Sequence, residues 1–341
     1  MQNVNMPLSI MKRKILCLLL ACTALFYMSE VKAQDPHFSQ FFANPIYTNP
    51  AFAGAAVCPR VGISYRDQWP SLGAFKTFAV SYDQYFDAIS GGIGVYLMSD
   101  KQSDFYRVNS AELIYSLRVR LTNNITLNLA AQADITNHAL DWDELIFPDM
   151  IDTRYGQIYR NTIAQEPDNT SKTYFDVGAG ALIFSENWYA GIAAVNLLRP
   201  DEGFISYNRL PIKFTANAGM RFNLRRDTRR TNALFGQPII SPNIIFQHQG
   251  KFNTLNYGAY LDWSPFIFGV WFRQSMAFSN RDALVFLFGL EWGDYKIGYS
   301  YDVTVSSLSN VSGGAHEITL GAKFPCPEKH KKIRAIKCPS F

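Results

Sequence analysis

The chain has 341 residues, of which 15% are aromatic and 18% are charged, and its formal net charge at pH 7 is +4. The mean hydropathy of -0.07 excludes a bundle of membrane-spanning helices, yet so many aromatic and so few charged residues are unusual for a water-soluble enzyme of this size. Amphipathic strands reconcile the two observations, and no low-complexity linker divides the chain, so we expect one domain.

Residues 1–33 have the features of an export signal. Basic residues at positions 12–14 precede an apolar run over residues 15–28, and the small residues Val31 and Ala33 stand at the spacing that a signal peptidase prefers. We therefore predict a signal peptide that is cleaved after Ala33. A retained membrane anchor and lipoprotein processing at Cys22 are the alternatives.

Cleavage at this site changes the charge of the chain. Residues 1–33 carry the cations Lys12, Arg13, Lys14 and Lys32 and the anion Glu30, so the formal charge falls by 3, from +4 to +1. A near-neutral exported chain gives no basic face for nucleic acid. Export also places the remaining cysteines where disulfides can form.

Residues 34–59 are predicted to form an irregular lead-in segment. Pro36, Pro45 and Pro50 each lack a backbone N–H and favour extended geometry in the preceding residue, which argues against a long helix or a regular central strand. The segment is nevertheless rich in aromatic side chains that are too apolar to leave in water, so we expect it to plug or brace the domain that follows. These side chains are Phe38, Phe41, Phe42, Tyr47 and Phe52.

From residue 60 to residue 324, apolar side chains alternate with small or polar ones, which predicts strands. In the first strand Val61, Ile63 and Tyr65 alternate with Gly62 and Ser64. The pattern predicts fourteen strands. They lie around residues 60–68, 77–83, 92–97, 112–120, 125–134, 174–185, 188–197, 212–222, 242–249, 254–263, 266–274, 283–292, 295–302 and 316–324.

The second face of these strands distinguishes two architectures. In a soluble sandwich it would be strongly charged, but here it is mostly Gly, Ser, Thr, Asn and Gln, as in the lumen of a membrane barrel. Only a closed sheet satisfies every backbone group in lipid, so we predict an all-β transmembrane antiparallel barrel of about fourteen strands. Aromatic residues suited to an interfacial girdle recur near the strand ends: Tyr65, Trp69, Tyr82, Trp188, Trp263, Trp292 and Tyr295.

Connection lengths support a barrel, because its long loops and short turns lie on opposite sides. The odd-to-even connections 139–172 and 198–211 are long, whereas the even-to-odd connections include the turns 185–187 and 264–265. We assign the turn side to the periplasm, although it also carries the long connection 223–238. Partner choice is predicted in the loop around residues 150–171, with an ordinary solvated loop as the alternative.

Four short motifs carry a resemblance to a known family. Two are Tyr65-Arg66-Asp67-Gln68-Trp69, which closes the first strand, and Gly298-Tyr299-Ser300-Tyr301-Asp302. Their residues, with those of the lead-in and of Gly313 to Ile318, are Asp35, His37, Phe38, Ser39, Gln40, Phe41, Asn44, Pro45, Asn49, Pro50, Ala51, Gly54, Tyr65, Arg66, Gln68, Trp69, Tyr299, Tyr301, Asp302, His316 and Glu317. In order and spacing these motifs resemble the PorP/SprF family of the type IX secretion system.

The resemblance covers nearly the whole exported chain and implies an outer-membrane protein of that secretion system. Such a protein would support secretion or surface attachment of a cognate large secreted protein, often an adhesin, by binding its C-terminal domain. Its periplasmic side would contact other type IX components. The resemblance leaves a role in gliding motility open, and no residue of the chain decides it. A passive diffusion pore and an outer-membrane enzyme are the alternatives.

We find no motif for a cofactor, a metal ion or catalysis. Asp35 and His37 lack further ligands at useful spacing, so hydrogen bonds that fix a turn explain them better than a metal site. No Gly-x-Ser-x-Gly elbow or phosphate loop is present. We expect no enzymatic activity, and we expect Arg66 to meet a lumenal carboxylate such as Asp83 on the neighbouring strand.

The exported chain has three cysteines, Cys58, Cys326 and Cys338. Cys326 and Cys338 bracket a basic tail at residues 325–341, so a disulfide between them could close this tail into a loop, but the sequence alone does not assign the pairing. A pairing that involves Cys58 is the alternative. The cations of the tail and of the 223–238 connection indicate either an acidic periplasmic partner or simple solvation.

Overall fold

The computed structural model of the chain describes residues 36–72, 75–152, 154, 156, 159, 161–224, 237–275, 281–305, 313–326 and 336. The predicted signal peptide, Asp35, Cys338, the arginines between positions 225 and 230 and nearly all of the basic tail lie outside these residues. Within the described part of the chain, no helix has both the length and the hydropathy needed to cross a membrane.

Fifteen strand segments build one sheet, as the alternating pattern predicts. They are β1 (Arg60–Gln68), β2 (Phe75–Phe86), β3 (Gly91–Lys101), β4 (Tyr106–Arg120), β5 (Thr126–Leu140), β6 (Ser171–Phe184), β7 (Trp188–Val195), β8 (Lys213–Met220), β9 (Phe222–Asn223), β10 (Ile239–Gln249), β11 (Phe252–Trp263), β12 (Phe266–Ser275), β13 (Arg281–Trp292), β14 (Tyr295–Thr304) and β15 (Ala315–Lys323).

The sheet closes into a ring. Apart from β9, which pairs with β10 alone, each strand pairs antiparallel with the next strand around the ring; β10 pairs with both β8 and β11, and β15 pairs with β1. β9 only continues β8 after Arg221, so fourteen strands surround the lumen. The predicted fold class is therefore confirmed: the described strands close on themselves, as a sheet in lipid requires.

Pro242 lies where the ladder between β8 and β10 is interrupted. Gly219 pairs with Asn243, and Phe222 pairs with Ile240, so Pro242 falls between the two paired stretches. A proline has no N–H to donate to a neighbouring strand. The sequence pattern predicts that this strand begins at the proline, whereas the strand begins three residues earlier at Ile239.

The two faces of the sheet differ as predicted. Large apolar side chains such as Phe78, Leu97 and Leu113 are exposed on the outer face, whereas the alternate positions, such as Ser64 and Asn128, are buried inside the ring. Strand periodicity produces this division, since successive side chains point to opposite faces. The outer face is therefore an apolar band that suits lipid.

The ring has two rims that we name by their connections. The long-loop rim carries residues 141–170, between β5 and β6, and residues 196–212, between β7 and β8. The turn rim carries the short β6–β7, β11–β12 and β13–β14 connections, together with the end of β9 at Asn223 and the end of β15 at Lys323. This alternation follows the predicted division of long and short connections.

Residues 36–59, called the lead-in segment from here on, contain only short helical turns. A four-residue helix α1 (Pro45–Thr48) is followed by a 3-10 turn (Pro50–Phe52). Each begins with a proline, whose missing N–H costs nothing at a helix start. The main buried cluster consists of lead-in side chains and inward-facing side chains of the strands, so the core lies inside the ring.

Candidate functional site

The lead-in segment lies within the lumen. Its hydrogen bonds and ring contacts reach side chains or backbone of β1 to β8, β11, β12, β14 and β15. A segment that touches strands on all sides of a closed ring must sit inside that ring. Near its start, at Ser39, it lies closer to the long-loop rim, and it reaches the turn rim at Cys58, two residues before β1 begins at Arg60.

Ser39 and Gln40 attach the start of the segment to β15. Their backbone N–H groups donate to the two carboxylate oxygens of Glu317 at 2.7 and 3.1 Å, and the Gln40 side-chain amide donates to the Glu317 carbonyl at 2.9 Å. The Thr319 hydroxyl completes the contact by donating to the Gln40 side-chain oxygen at 2.6 Å. Glu317 is thus a buried acceptor for two consecutive lead-in amides.

Two arginines balance the carboxylates around Ser39. Arg66 contacts Asp302 at 2.9 Å and Glu317 at 3.2 Å, and Arg273 contacts Asp302 at 3.1 Å. Both guanidinium groups donate to the Ser39 hydroxyl, at 2.8 and 2.9 Å, and that hydroxyl donates to Asp302 at 2.6 Å. Pairing of buried charges in this manner offsets the cost of removing them from water.

The predicted contact between Arg66 and Asp83 is wrong. Arg66 stands opposite Glu317 on β15, whereas Asp83 stands opposite Arg60 on β2 and binds it at 2.5 Å. Arg60 and Arg66 are six residues apart on the same strand, a separation of roughly 20 Å at the strand rise. Strand register therefore gives each arginine a different carboxylate.

Aromatic side chains fill the middle of the lumen. Phe42 packs against Tyr260 and Trp271 with ring centroids 5.4 and 6.0 Å apart, and Phe52 packs against Tyr189 at 5.5 Å. All five are buried, as the apolar character of the lead-in predicts. Further contacts join Phe38 to Tyr47, Phe41 to Trp271 and Tyr47 to Tyr96.

Asparagines of the lead-in satisfy backbone groups in its irregular path. The Asn49 side chain donates to the carbonyls of Ala181 and Ile192, both at 3.2 Å, and accepts from the Ala51 N–H at 2.9 Å. The Asn44 side chain donates to the Ser64 hydroxyl at 2.6 Å. Because the segment has little regular structure, these side chains replace the pairing that a helix or strand would supply.

Gly54 and Gly92 permit the closest approach between the lead-in and the wall. Gly54 has a φ of +68°, and a Cβ on Gly92 would lie 2.3 Å from the Ala53 carbonyl oxygen and 2.7 Å from the Gly54 Cα. A side chain at Gly92 therefore conflicts with lead-in backbone rather than with a movable side chain. Both positions require glycine for this packing.

The remaining motif residues lie near the long-loop rim, either inside the lumen or on the outer face of the barrel. His37 is half-buried near the start of the lead-in, and the Pro36 carbonyl accepts from the Tyr47 hydroxyl at 2.7 Å. Gln68 points inward and accepts from Arg66. Tyr65 and Tyr299 are exposed on the outer face. The Tyr299 hydroxyl contacts the His316 ring at 2.8 Å, and the Tyr301 ring lies tilted against the same imidazole with centroids 4.9 Å apart. Trp69 contacts Phe75.

Of the two disulfide pairings that the sequence leaves open, the structure has the one that involves Cys58 and not the one between Cys326 and Cys338. Cys326 forms a disulfide with Cys58, which is the alternative pairing, and Cys338 lies outside the described residues. The reason is the closure of the ring, which pairs Arg60 at the start of β1 with Lys323 at the end of β15 and so brings the flanking cysteines together. Ile336 returns to the same rim, where its N–H donates to the Ala55 carbonyl.

The long loops have internal anchors that hold them in place. Asp149 accepts from the Ile163 N–H at 2.7 Å and from Thr162, and the first of these bonds lowers the pKa of the Asp149 carboxyl below its ordinary value. Asp201 binds Lys172 at 2.6 Å and accepts from the Asn208 N–H at 2.7 Å, and its pKa is lowered chiefly by Lys172.

These anchored loops expose large apolar side chains to solvent. Ile163 is 94% exposed, Ile205 is 83% exposed and Tyr207 is 67% exposed. We call these three residues the loop patch. Apolar groups held on ordered loops, outside the apolar band of the barrel wall, are typical of protein-binding surfaces.

The described residues contain no group of three or more His, Cys, Asp or Glu side chains that could hold a metal ion. Trp271 and Arg273 on β12 are among the contributors to the lumenal site that the sequence motifs did not predict. Both occupy inward-facing positions, where most strands carry small or uncharged residues. That departure from the lumenal pattern is the signal that could have identified them.

A family model described as type IX secretion system membrane protein PorP/SprF matches residues 30–322. No curated protein matches the chain. The toluene transporter TodX of Pseudomonas putida is similar with a TM-score of 0.44 and 8% identity over 85% of this chain and 93% of TodX. The outer membrane protein Omp33 of Acinetobacter baumannii has a TM-score of 0.43 and 10% identity over 79% and 99% of the two chains. These distant similarities carry no functional information.

Proposed function

Because the chain belongs to the PorP/SprF family of type IX secretion system membrane proteins, we propose that this outer-membrane barrel binds a cognate large secreted protein, supporting its secretion or its attachment at the cell surface. Family membership implies association with other components of that system. More specifically, the secreted client is an adhesin-like protein that the barrel binds through the client's C-terminal domain. Binding rather than catalysis is its mechanism.

The loop patch is the observation that carries the proposal. Ile163, Ile205 and Tyr207 lie on two long loops of the same rim, and Asp149 and Asp201 hold the backbone beside them. Ordered apolar side chains bind a partner without first losing loop entropy, and their exposure is otherwise unfavourable in water. We assign this rim to the cell exterior, where the client would be met.

The filled lumen favours binding over diffusion. Lead-in aromatic side chains contact Tyr260, Trp271 and Tyr189 across the middle of the ring, and Arg66 and Arg273 are paired with carboxylates. A diffusion pore needs a continuous aqueous path. The packed lead-in segment therefore favours a binding scaffold, in which residues at the two rims contact the partner proteins.

Co-purification from the native outer membrane tests the proposal. We expect the wild-type barrel, solubilised gently, to recover one large surface protein, and the double variant Ile163→Ser, Ile205→Ser to recover much less of it. Leu121→Ser is the matched control, since Leu121 is an exposed apolar residue on the turn rim. Recovery of no large surface protein by the wild type, or equal recovery by all variants, contradicts the proposal.

A further inference from the structure

A cavity of about 380 Å³ lies at the long-loop rim, between the β3–β4 turn and the two ends of the 141–170 loop. Asp141 continues the pairing of β4 and β5 beyond the strand ends, because its N–H donates to the Phe105 carbonyl at 2.8 Å. The Leu140 N–H donates to the Thr170 carbonyl at 2.8 Å, so both ends of the loop are fixed beside the cavity. The volume lies in the range of small-ligand sites, which suits one or two long side chains and not a folded domain.

The lining of this cavity is acidic. Its described residues include four carboxylates and one guanidinium, which is that of Arg107. The Asp104 carboxylate is paired with Lys101 at 2.7 Å. Among the described residues, the other three carboxylates have no ion pair and no side-chain hydrogen bond, and they belong to Asp141, Asp143 and Glu166. Unpaired carboxylates that share one cleft favour an added cation.

The loop above the cavity has the same sign of charge. Residues 141–170 contain seven Asp or Glu residues and two Arg residues, so their formal net charge is −5. The three unpaired carboxylates of the lining are exposed, so water screens each of them and a single ion pair there contributes little. Recognition at this cavity therefore requires an occupant with several positive charges, which the field of the whole loop also attracts.

The neutral groups of the lining also suit a cation with N–H donors. Phe105 and Trp142 both line the cavity, and the Trp142 ring is held by Phe147 with centroids 4.9 Å apart. Aromatic faces attract guanidinium and ammonium groups. The hydroxyl oxygen of the lining residue Ser103 is shielded from solvent and has no hydrogen-bond partner. A buried hydroxyl oxygen without a donor is unfavourable, so a ligand N–H is favoured here.

We infer that this cavity binds a basic peptide segment of the secreted client, an inference that rests on the proposed function. Arginine or lysine side chains of the segment pair with the carboxylates of Asp141, Asp143 and Glu166. An organic cation is favoured over a metal ion, because the described residues contain no group of three or more carboxylates, imidazoles or thiols that could hold one. Ile163 of the loop patch is three residues from Glu166, a span of at most about 11 Å, so one segment of the client can contact both.

Fluorescence anisotropy with the full-length barrel in detergent tests the inference. The probe is a labelled hexapeptide with two arginines between glycine pairs, and its matched control has two citrullines, which have nearly the same shape and no charge. We expect the arginine peptide to bind more tightly than the control and to lose affinity as the salt concentration is raised from about 50 to about 500 mM.

Two double variants locate the binding site. Asp143→Asn with Glu166→Gln should weaken binding of the arginine peptide by about tenfold, which is about threefold for each exposed ion pair that is lost. Glu144→Gln with Asp168→Asn is the matched control, since both are exposed carboxylates of the same loop that do not line the cavity. Equal binding of the two peptides, equal loss in the two double variants, or no wild-type binding at millimolar peptide overturns the inference.

A second measurement reports the site directly. Bound arginine peptide should slow the carbodiimide coupling of an amine to Asp143 and Glu166, as read by mass spectrometry, while Asp294 in the β13–β14 turn on the opposite rim reacts as before. Equal reaction of Asp143 and Glu166 with and without the peptide overturns the inference.

Co-purification separates this inference from the proposed function. We expect the Asp143→Asn, Glu166→Gln barrel to recover less of the large surface protein than the wild type does. If the two recover it equally, the inference fails and the proposed function stands. If the wild type recovers no large surface protein, the proposed function fails, and the client assigned to the cavity fails with it.

Discussion

Ser39 donates its hydroxyl to Asp302 at 2.6 Å although 263 residues separate them in sequence. Arg66 of β1 contacts the same Asp302 carboxylate. Asp302 lies on β14, and β15 lies between β14 and β1, so Ser39 meets both groups only when these three strands are side by side. The lead-in segment therefore finds its full set of partners only in the closed ring. Docking of the segment and closure of the ring stabilise each other.

Arg66→Ala is expected to destabilise the barrel strongly. The Glu317 side chain is fully buried and that of Asp302 nearly so. Among the described residues, Glu317 would lose its only arginine partner, whereas Asp302 would keep Arg273. Breaking a buried pair by removing one partner costs about 3–5 kcal/mol. The measurement is the urea midpoint of the folded barrel in detergent.

Arg107→Ala is the control for this measurement, since Arg107 is exposed on the outer face of β4 and has no ion pair among the described residues. Its midpoint should stay near that of the wild type. A midpoint for Arg66→Ala that equals the control would show that the buried network contributes little.

The strands and their faces could be predicted from the sequence because period-two alternation is a local signal. Val61, Ile63 and Tyr65 fall on the outer face without any knowledge of neighbouring strands. The burial of the lead-in could also be predicted, since exposure of Phe41, Phe42 and the neighbouring aromatic side chains to water is unfavourable.

Pairings across the ring could not be predicted, because they depend on register and closure. Asp83 and Glu317 are equally plausible partners of Arg66 until the opposite positions on β2 and β15 are known. Cys58 and Cys326 are 268 residues apart, and only the pairing of β1 with β15 brings them together. The short sequence separation of Cys326 and Cys338 therefore does not indicate which cysteines pair.

Peptide mapping by mass spectrometry without reduction should find the peptide of Cys58 linked to that of Cys326. The same link is expected in Cys338→Ser and is absent in Cys58→Ser. We expect Cys58→Ser to lower stability by about 2–5 kcal/mol, as for loss of a native disulfide. A link between Cys326 and Cys338 in the wild type would contradict the structure.

Gly92→Val should displace the lead-in from the wall. Its Cβ would lie within 2.3 Å of the Ala53 carbonyl oxygen, and backbone cannot move aside as a flexible side chain can. We expect the wild-type barrel to be nearly silent in planar bilayers and the variant to conduct. Ala133→Val, on the outer face of β5, places the same valine side chain outside the lumen and should stay silent. Large conductance of the wild type would instead favour a diffusion pore.

The loop at residues 196–212 should loosen in acid through Asp201. Lys172 and the Asn208 N–H favour the charged carboxylate, so the pKa of Asp201 is lower in the folded loop than in an unfolded chain. The carboxylate therefore stabilises the loop at every pH above its unfolded value of about 4. This contribution is lost as the pH falls through the folded pKa.

A spin label on Ile205→Cys, in a Cys338→Ser background, reports the mobility of this loop. We expect an immobile spectrum at pH 7 and a mobile one well below pH 4. Asp201→Asn should be mobile already at pH 7, because the neutral amide loses the ion pair with Lys172. Asp143→Asn is the control, since Asp143 is an exposed carboxylate of the adjacent long loop and should leave the spectrum at pH 7 unchanged. An Asp201→Asn spectrum identical to that of the control would remove Asp201 as the anchor of the loop.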